Sequence, residues 1–137
     1  MKKELRTKIR GILAGLSAET MFAKSQAVAE RLFDQPEYQR AEIMMIYLTH
    51  QQEVDTTPIV LQAWQDRKKV VAPQVSWESR QMIPIEIRNL DDDVGENNQL
   101  GIREPIHGMP IPIGLIDLVI VPGLGFDPFG KRLGRGR

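Results

Sequence analysis

A strand, a polar loop, a helix and a second strand follow one another in the middle of the chain, and this order constrains the fold most. Residues 43–48 (IMMIYL) form a short apolar run that indicates a buried strand. Asp55 or Thr56 can cap the helix, and residues 70–72 indicate a second strand that ends before Pro73. Two strands joined in this way usually pair in parallel with a right-handed crossover. The sequence therefore predicts an α/β domain whose ligands bind at the carboxyl ends of its strands.

The polar loop after the first strand contains Glu53, which would lie at such a carboxyl end. Two interpretations of this side chain remain open. It is either a ligand-binding group or an acid placed just ahead of the helix cap, where the helix dipole stabilises it by a few tenths of a kcal/mol.

The first helix is predicted over residues 2–15, because apolar side chains recur there at the spacing of one helix face. This apolar stripe consists of Leu5, Ile9, Ile12, Leu13 and Leu16. Lys2 and Arg6 lie four residues apart on the first turn, where surface charge is ordinarily solvated. Two cations at a helix N-terminus also oppose the helix dipole, which hints at an anion nearby.

A second helix is predicted from a Ser17 N-cap to about Phe33. Its buried side is expected to consist of Met21, Val28 and Leu32. A short helical turn is expected over residues 36–40, before the first strand.

The sequence pattern that indicates helices and strands is weaker after the second strand. Residues 81–87 form a strand that Pro84 assigns to an edge or a bulge. Three consecutive aspartates at 91–93 favour a solvated loop over a metal site, because adjacent side chains do not converge on one ion. Residues 95–116 are rich in Gly, Pro and Asn and predict an irregular loop.

The last stretch, residues 117–137 (DLVIVPGLGFDPFGKRLGRGR), begins as a strand and ends as a glycine-rich cationic segment. Its aliphatic run at 118–121 predicts a strand covered on both faces. From Pro122 onward there are five glycines and four cations. Glycine lets backbone N–H groups approach an anion, and arginine supplies forked donors, so the combination suits phosphate.

Two familiar phosphate motifs fail on this segment. Gly125 to Lys131 has the spacing of a P-loop, but Arg132 stands where Ser or Thr should bind magnesium. A dinucleotide fingerprint begins at Gly123 but has Pro128 in place of its third glycine. The residues alone leave two possibilities, an unclassified phosphate-binding loop and a plain glycine-rich surface turn.

Composition excludes several other classes of protein. The net charge of +0 gives no global attraction to nucleic acid or acidic membranes. Zero cysteines exclude disulfides, thiolate catalysis and cysteine-bound metal. The separation of the two histidines, His50 and His107, argues against a hydrolase triad or a histidine-built zinc site. With no signal peptide and no apolar run of membrane-spanning length, the expected location is the cytoplasm.

Four pieces of the chain, in order, resemble the 5-formyltetrahydrofolate cyclo-ligase (methenyltetrahydrofolate synthetase) family. They are KKELR at 2–6, IYLTHQQEVDT at 46–56, LGIREP at 100–105 and VPGLGFDPFGKRLGRGR at 121–137. The last piece is the most specific. The resemblance spans the chain and implies a three-layer, Rossmann-like α/β sandwich of the cyclo-ligase type, with a largely parallel central sheet flanked by helices.

The resemblance implies an ATP-dependent ring closure. In this family ATP with Mg²⁺ activates the formyl oxygen of 5-formyltetrahydrofolate, the anilino nitrogen attacks, and 5,10-methenyltetrahydrofolate, ADP and phosphate are released. The expected partners are this folate, with or without a polyglutamate tail, and ATP, but neither nucleic acid nor membrane. A monomer or a weak homodimer is expected.

The resemblance also implies the site residues. ATP would be bound by Lys2, Lys3, Glu4, Leu5, Arg6, Arg132, Leu133, Gly134, Arg135, Gly136 and Arg137. The folate would be bound by Leu48, Glu53, Met82, Glu104, Arg135, Gly136 and Arg137. Glu53 would accept hydrogen bonds from the polar head of the folate, and Leu48 would form an apolar wall. Lys2 and Arg135 would take the catalytic roles, and no metal ligand is assigned.

The family motif continues with Gly-Tyr-Tyr-Asp, whose aspartate is associated with magnesium, whereas this sequence stops at Arg137. We therefore expect residues 1–137 to form a single cyclo-ligase-like domain that lacks its C-terminal part, with weak ATP binding and slow or no turnover. Three alternatives remain. They are a non-catalytic fragment, a scaffold whose arginine-glycine segment at 131–137 binds RNA, and a related sheet enzyme acting on a sugar phosphate or thioester.

Overall fold

The computed structural model describes residues 1–49, 53–76, 78–97 and 102–134. The helices in these ranges are α1 (Lys2–Ala14), α2 (Ala18–Phe33), α3 (Pro36–Arg40) and α4 (Thr57–Gln65), with a 3₁₀ turn at Ile113–Leu115. The strands are β1 (Ile43–Ile46), β2 (Lys69–Ser76), β3 (Gln81–Ile87), β4 (Val94–Asn97), β5 (Ile102–Pro105), β6 (Leu118–Ile120), β7 (Gly125–Phe126) and β8 (Arg132–Leu133). No helix within these ranges is long and apolar enough to cross a membrane.

The main sheet has the strand order β3-β2-β1-β6. β1 pairs in parallel with both β2 and β6, and β3 runs antiparallel to β2. The predicted strand–helix–strand unit therefore forms a parallel pair. This largely parallel sheet, flanked by helices, confirms the predicted α/β class. β3 lies at an edge of the described sheet, as Pro84 predicted.

The core lies on both faces of this sheet, because alternate residues of a strand point to opposite faces. Met44 and Val70 pack with Ile59 of α4 in the larger cluster. Met45 and Val71 lie in a smaller cluster on the other face, with Ile111, Ile43 and Ile116. Both faces of β1 are therefore packed. This is why its sequence is continuously apolar and does not alternate between apolar and polar residues, as a half-exposed strand would.

The prediction that residues 118–121 are covered on both faces is wrong. Leu118 and Ile120 pack against the larger cluster, but Val119 points to the opposite face and is 50% exposed. Among the described residues β6 pairs only with β1, so it is an edge of the described sheet. The described elements leave its second face partly open.

The second strand was expected to end before Pro73, yet β2 continues to Ser76. Pro73 lies opposite Pro84 of β3. The carbonyl of Pro84 accepts a hydrogen bond from the Ile111 N–H at 3.0 Å, so it points away from β2. Proline has no N–H to donate, but at a non-hydrogen-bonded position of the β2–β3 pair no N–H is needed. The two prolines therefore remove no hydrogen bond from the sheet, and β2 can continue.

Residues 95–116 were predicted to be irregular, but most of the first half is the β4–β5 antiparallel pair. This pair packs on the end of β2. The Gln74 amide donates to the Pro105 carbonyl at 2.9 Å, and the Val75 N–H donates to the Glu104 carboxylate at 3.2 Å. A stretch rich in Gly, Pro and Asn lacks the alternation of apolar and polar residues that identifies a strand, so the local pattern did not reveal this pair.

The bounds of the first two helices agree with the predictions, but the buried face of α2 does not. The Ser17 hydroxyl accepts a hydrogen bond from the Thr20 N–H at 3.1 Å, as expected of the N-cap. α2 buries Ser25 and Ala29 instead of Met21 and Val28, while Leu32 packs at the core margin. No residue of α1 is buried. Part of the α1 apolar stripe instead borders the cavities described below.

The start of β6 is fastened to the start of β1 by Asp117. Its Oδ2 accepts the N–H groups of Glu42 at 2.9 Å and Ile43 at 3.0 Å. The hydrogen bonds from Ile43 and Glu42 favour the ionised carboxylate and lower the pKa of Asp117 below its ordinary value. The unfolded chain therefore binds more protons than the folded one just below about pH 5.

We expect this carboxylate to make the folded state less stable as the pH falls from about 5 towards 2. The Asp117→Asn variant should lose part of this acid dependence, because an amide does not ionise. Denaturant unfolding of both proteins across this pH range measures the difference. Asp92→Asn, at an exposed position, is the matched control and should keep the wild-type dependence. Equal pH dependence in wild type and Asp117→Asn would contradict the assignment.

Candidate functional site

Two cavities lie beyond the carboxyl ends of β1 and β6. The first, here called the hairpin cavity, has a volume of about 610 Å³. Its described lining comprises Lys2, Leu5 and Ile9 of α1 and Gly125, Phe126, Asp127, Lys131, Arg132 and Leu133 of the β7–β8 hairpin. Three of these side chains are cationic and one is acidic, so the lining carries net positive charge. Its size and charge suit an anionic small molecule.

The N-terminal helix and the hairpin meet directly, although they lie at opposite ends of the sequence. The Arg6 Nε donates to the Gly134 carbonyl at 2.9 Å across a separation of 128 residues. A Cβ placed on Gly125 would lie 3.0 Å from the Ile9 Cδ1, so the helix packs closely against a bare backbone. Both predicted phosphate-binding segments therefore contribute to one cavity.

The hairpin itself is held by a side chain that the sequence analysis did not single out. The Asp127 Oδ1 accepts the N–H groups of Phe129 and Lys131, each at 2.8 Å. Gly130 in the same turn has a φ of +86°, which favours glycine. Arg132 lies opposite Phe126 and donates from Nη1 to the Pro122 carbonyl at 2.6 Å. These contacts fix where the cations of the hairpin lie.

The second cavity, here called the sheet-edge cavity, has a volume of about 340 Å³ and a mostly apolar lining. α1, α2 and the short connection between them contribute Leu13, Leu16, Met21, Lys24, Ser25 and Val28. The rest is contributed by Tyr47, Glu53, Val54, Ile59, Ile120, Val121, Gly123, Leu124 and Phe126. One carboxylate and one ammonium group among apolar side chains suit a flat organic molecule with a few polar groups.

Tyr47 and Glu53 are the polar pair of this cavity nearest the end of β1. Burial, and then the negative charge of Glu53, raise the pKa of Tyr47 to about 12. The phenol therefore remains protonated at neutral pH and is a hydrogen-bond donor. Sequence reasoning missed Tyr47 because it counted the residue as part of an apolar strand.

The loop that carries Glu53 is anchored on both sides. The Asp55 N–H donates to the Ser25 hydroxyl of α2 at 2.9 Å. The Thr56 N–H donates to the Thr49 Oγ1 at 2.7 Å, and the Thr56 hydroxyl donates to the Tyr47 carbonyl at 3.1 Å. Buried Thr56 is the N-cap residue of α4, and the Asp55 carboxylate accepts the Thr57 N–H at 3.0 Å. The described residues that follow Glu53 are thus fixed to α2 and to the end of β1.

The structure brings many of the predicted ATP-binding residues together. Lys2, Leu5, Arg132 and Leu133 line the hairpin cavity, and Arg6 and Gly134 bind each other beside it. Lys3 and Glu4 are exposed and are not among its described lining residues. The predictions on Arg135, Gly136 and Arg137 lie outside the described residues.

The predicted folate-binding residues are more dispersed. Glu53 lines the sheet-edge cavity, whereas Leu48 packs in the main core. Met82 lies opposite Val75 in the sheet, and Glu104 accepts the Val75 N–H. These two residues are therefore near each other, but neither is among the described lining residues of the two cavities.

Other lining residues were missed by sequence reasoning. Lys24 and Ser25 sit on α2, where the helical pattern directed attention to apolar positions. Phe126 and Lys131 lie within residues 121–137, the segment that most resembles the family. Their place in that segment could have identified them. The described residues contain no group of three or more His, Asp or Glu side chains that could hold a metal ion.

Comparison with known proteins shows which family this chain resembles along its whole length. The model of the 5-formyltetrahydrofolate cyclo-ligase family matches residues 1–137. The cyclo-ligase of Mus musculus is 28% identical over 99% of this chain and 70% of its own length. The cyclo-ligase of Haemophilus influenzae is 28% identical over 98% of this chain and 73% of its own length.

Solved structures agree with the family match. The NMR structure of 5,10-methenyltetrahydrofolate synthetase from Aquifex aeolicus superposes with a TM-score of 0.84 at 29% identity. That superposition covers 99% of this chain and 68% of the other. The synthetase from Mycoplasma pneumoniae has a TM-score of 0.73 at 18% identity, over 98% of this chain and 71% of that one, and supports the fold alone. This chain belongs to the 5-formyltetrahydrofolate cyclo-ligase family.

Proposed function

We propose that this protein closes 5-formyltetrahydrofolate to 5,10-methenyltetrahydrofolate at the expense of ATP, releasing ADP and phosphate. One observation carries the proposal for this chain. Two segments 128 residues apart, joined by Arg6 and Gly134, enclose a cationic cavity beside an apolar cavity that contains Glu53. A reaction between an anionic nucleotide and a folate, whose rings stack on apolar side chains while its pterin needs a hydrogen-bond acceptor, suits two adjoining spaces of these kinds.

The hairpin cavity is the proposed ATP site. Lys2, Lys131 and Arg132 offer charge-assisted hydrogen bonds to phosphate oxygens. The Arg6–Gly134 contact would hold the two walls at a fixed separation, and Arg135 to Arg137 are proposed to complete the phosphate contacts. Mg²⁺ is expected to arrive bound to ATP. Because the described residues contain no metal-ligand set, we assign no protein step to the ion.

The sheet-edge cavity is the proposed folate site. The Glu53 carboxylate would accept hydrogen bonds from the N–H groups of the pterin, and the Tyr47 hydroxyl can donate one. The apolar lining would cover the rings, while Leu48 supports this wall from the core. Met82 and Glu104 remain predicted folate contacts outside the described lining.

The chemistry requires positioning and charge stabilisation more than covalent help from the protein. The bond between the γ-phosphorus and the bridging oxygen breaks with its electron pair on ADP, and a bond forms from the formyl oxygen to phosphorus. The anilino nitrogen then attacks the formyl carbon and loses its proton, and the carbon–oxygen bond breaks as phosphate leaves. Lys2 and Arg135 are the proposed stabilisers of the negative charge that moves between these oxygens.

The alternative, a scaffold whose arginine-glycine segment at 131–137 binds RNA, is less well supported. Lys131 to Gly134 are joined to residues 122–127 by hairpin pairing and by contacts of Arg132 and Asp127, so this part is folded.

We further propose that the enzyme acts in the cytoplasm as a monomer or a weak homodimer and accepts polyglutamylated folate.

Glu53→Gln is expected to raise the KM for 5-formyltetrahydrofolate by about tenfold to thirtyfold, or roughly 1.5–2 kcal/mol, because a charged acceptor becomes a neutral amide. The KM for ATP should change less than twofold. Steady-state kinetics with each substrate varied in turn measures both values. Glu30→Gln, at an exposed position of α2 that is not in the described lining, is the control and should match wild type. A larger change in the ATP KM than in the folate KM would refute the assignment of Glu53.

A further inference from the structure

Phe126 occupies a special position between the two cavities. Among the residues that the structure describes, it is the one that lines both the hairpin cavity and the sheet-edge cavity. It lies in β7 and is 64% exposed, so most of its side chain is not packed in the core. Large aromatic rings are usually buried, and one that is held open between two cavities needs a reason.

The ring is held in place by its neighbours. A Cβ on Gly123 would lie 2.9 Å from the Phe126 Cζ and 3.0 Å from the Arg132 Cγ, so both side chains rest against a bare backbone. Phe126 and Arg132 are opposite each other in the hairpin, and opposite residues share one face of a β-pair. Arg132 is fixed in turn by its hydrogen bond to the Pro122 carbonyl. The aromatic ring therefore stands beside a cation of the hairpin cavity and also borders the sheet-edge cavity.

The boundary between the cavities matters for the chemistry proposed above. If ATP occupies the hairpin cavity and the folate occupies the sheet-edge cavity, the γ-phosphorus and the formyl oxygen must meet where the two spaces adjoin. Water competes with the formyl oxygen as the phosphoryl acceptor. Attack by water breaks the same phosphorus–oxygen bond and yields ADP and phosphate, but it leaves 5-formyltetrahydrofolate unchanged.

We propose that Phe126 is a positioning residue for this reaction, and this inference rests on the proposed function. Its ring fills the junction of the two cavities, has no hydrogen-bonding group that could hold a water molecule, and presses the formyl group towards the phosphate. The ring thereby couples ATP cleavage to ring closure. It is not a catalytic residue, since it exchanges no proton or electron pair with the substrates.

Phe129 provides a matched comparison within the same hairpin. It is 90% exposed and is not among the described lining residues of either cavity. Loss of its ring should remove an exposed aromatic side chain without opening the junction. Phe129→Ala therefore controls for general effects of truncating a phenylalanine at this surface.

The test is the ratio of ADP formed to methenyl-folate formed, measured in the full-length protein with both substrates saturating. Wild type and Phe129→Ala should give a ratio near one. Phe126→Ala should raise the ratio at least threefold and lower the rate of methenyl-folate formation about tenfold. Phe126→Met, which keeps an apolar side chain of similar length, should return the ratio close to one. Phe126→Val suits a strand and should also raise the ratio, which keeps the test available if the alanine variant does not fold.

The possible failures can be told apart. If wild type forms methenyl-folate and the truncated Phe126 variants keep a ratio of one, this inference is overturned while the proposed function stands. A lower melting temperature with unchanged coupling would also overturn it, because a purely structural role predicts that result. If wild type forms no methenyl-folate at all, the proposed function itself falls.

Discussion

Gly108→Ala is expected to lower the free energy of unfolding by roughly 3 kcal/mol, the largest stability effect we predict for one methyl group. Gly108 has a φ of +138°, a conformation that side-chain-bearing residues rarely adopt. An added Cβ would overlap the Glu86 carbonyl oxygen and lie 2.8 Å from the Ile85 Cγ2. The neighbouring residue Met109 accepts a hydrogen bond from the Glu86 N–H at 2.9 Å, so the strain would reach the outer side of β3.

Thermal unfolding measures this effect, and the melting temperature should fall by roughly 10 °C for a chain of this size. Gly114→Ala is the matched control. No heavy atom lies within 4 Å of the Cβ that this substitution would add, so its effect should stay within about 0.5 kcal/mol. Equal melting temperatures for the two variants would show that Gly108 does not carry the predicted constraint.

Arg6→Met is expected to raise the KM for ATP roughly thirtyfold, which corresponds to about 2 kcal/mol. The substitution removes the Arg6–Gly134 hydrogen bond that joins α1 to the hairpin, together with a cation next to the hairpin cavity. Both losses weaken phosphate binding in the same direction. The KM for 5-formyltetrahydrofolate should change less than threefold, because the sheet-edge cavity keeps its described lining.

Steady-state kinetics with ATP varied at saturating folate provides the measurement. Lys8→Met removes a cation from an exposed position of the same helix and should change the ATP KM less than twofold. If the two variants were equally impaired, the effect would reflect general charge near the N-terminus. If the folate KM rose instead, the assignment of the two cavities would have to be exchanged.

Sequence patterns predicted the elements whose signal is local. The apolar run of β1, the Ser17 cap of α2 and the helix between β1 and β2 were all identified from neighbouring residues. Elements whose pattern is interrupted by Pro, Gly or Asn were missed or cut short. β2 passes through Pro73, which lies opposite Pro84 across the sheet, and β4 and β5 pair with each other and pack against Gln74.

The site shows the same division. The resemblance named Lys2 and Arg132, but the 128-residue separation bridged by Arg6 and Gly134 left no local trace that the two ends form one cavity. The apolar stripe of α1 predicted a helix but not what the stripe contacts, since periodicity is the same whether a stripe meets the core or a cavity. Tyr47 was overlooked for a related reason, because an aromatic residue in an apolar stretch is usually core. Phe126 was overlooked because attention in its segment went to the glycines and cations.

The central claim is that this protein joins ATP cleavage to closure of the folate ring. The most direct measurement follows methenyl-folate absorbance after the full-length protein is mixed with Mg-ATP and 5-formyltetrahydrofolate. The account predicts a rise in absorbance that requires both substrates and is matched by an equal amount of ADP. No rise above a control without enzyme would contradict it.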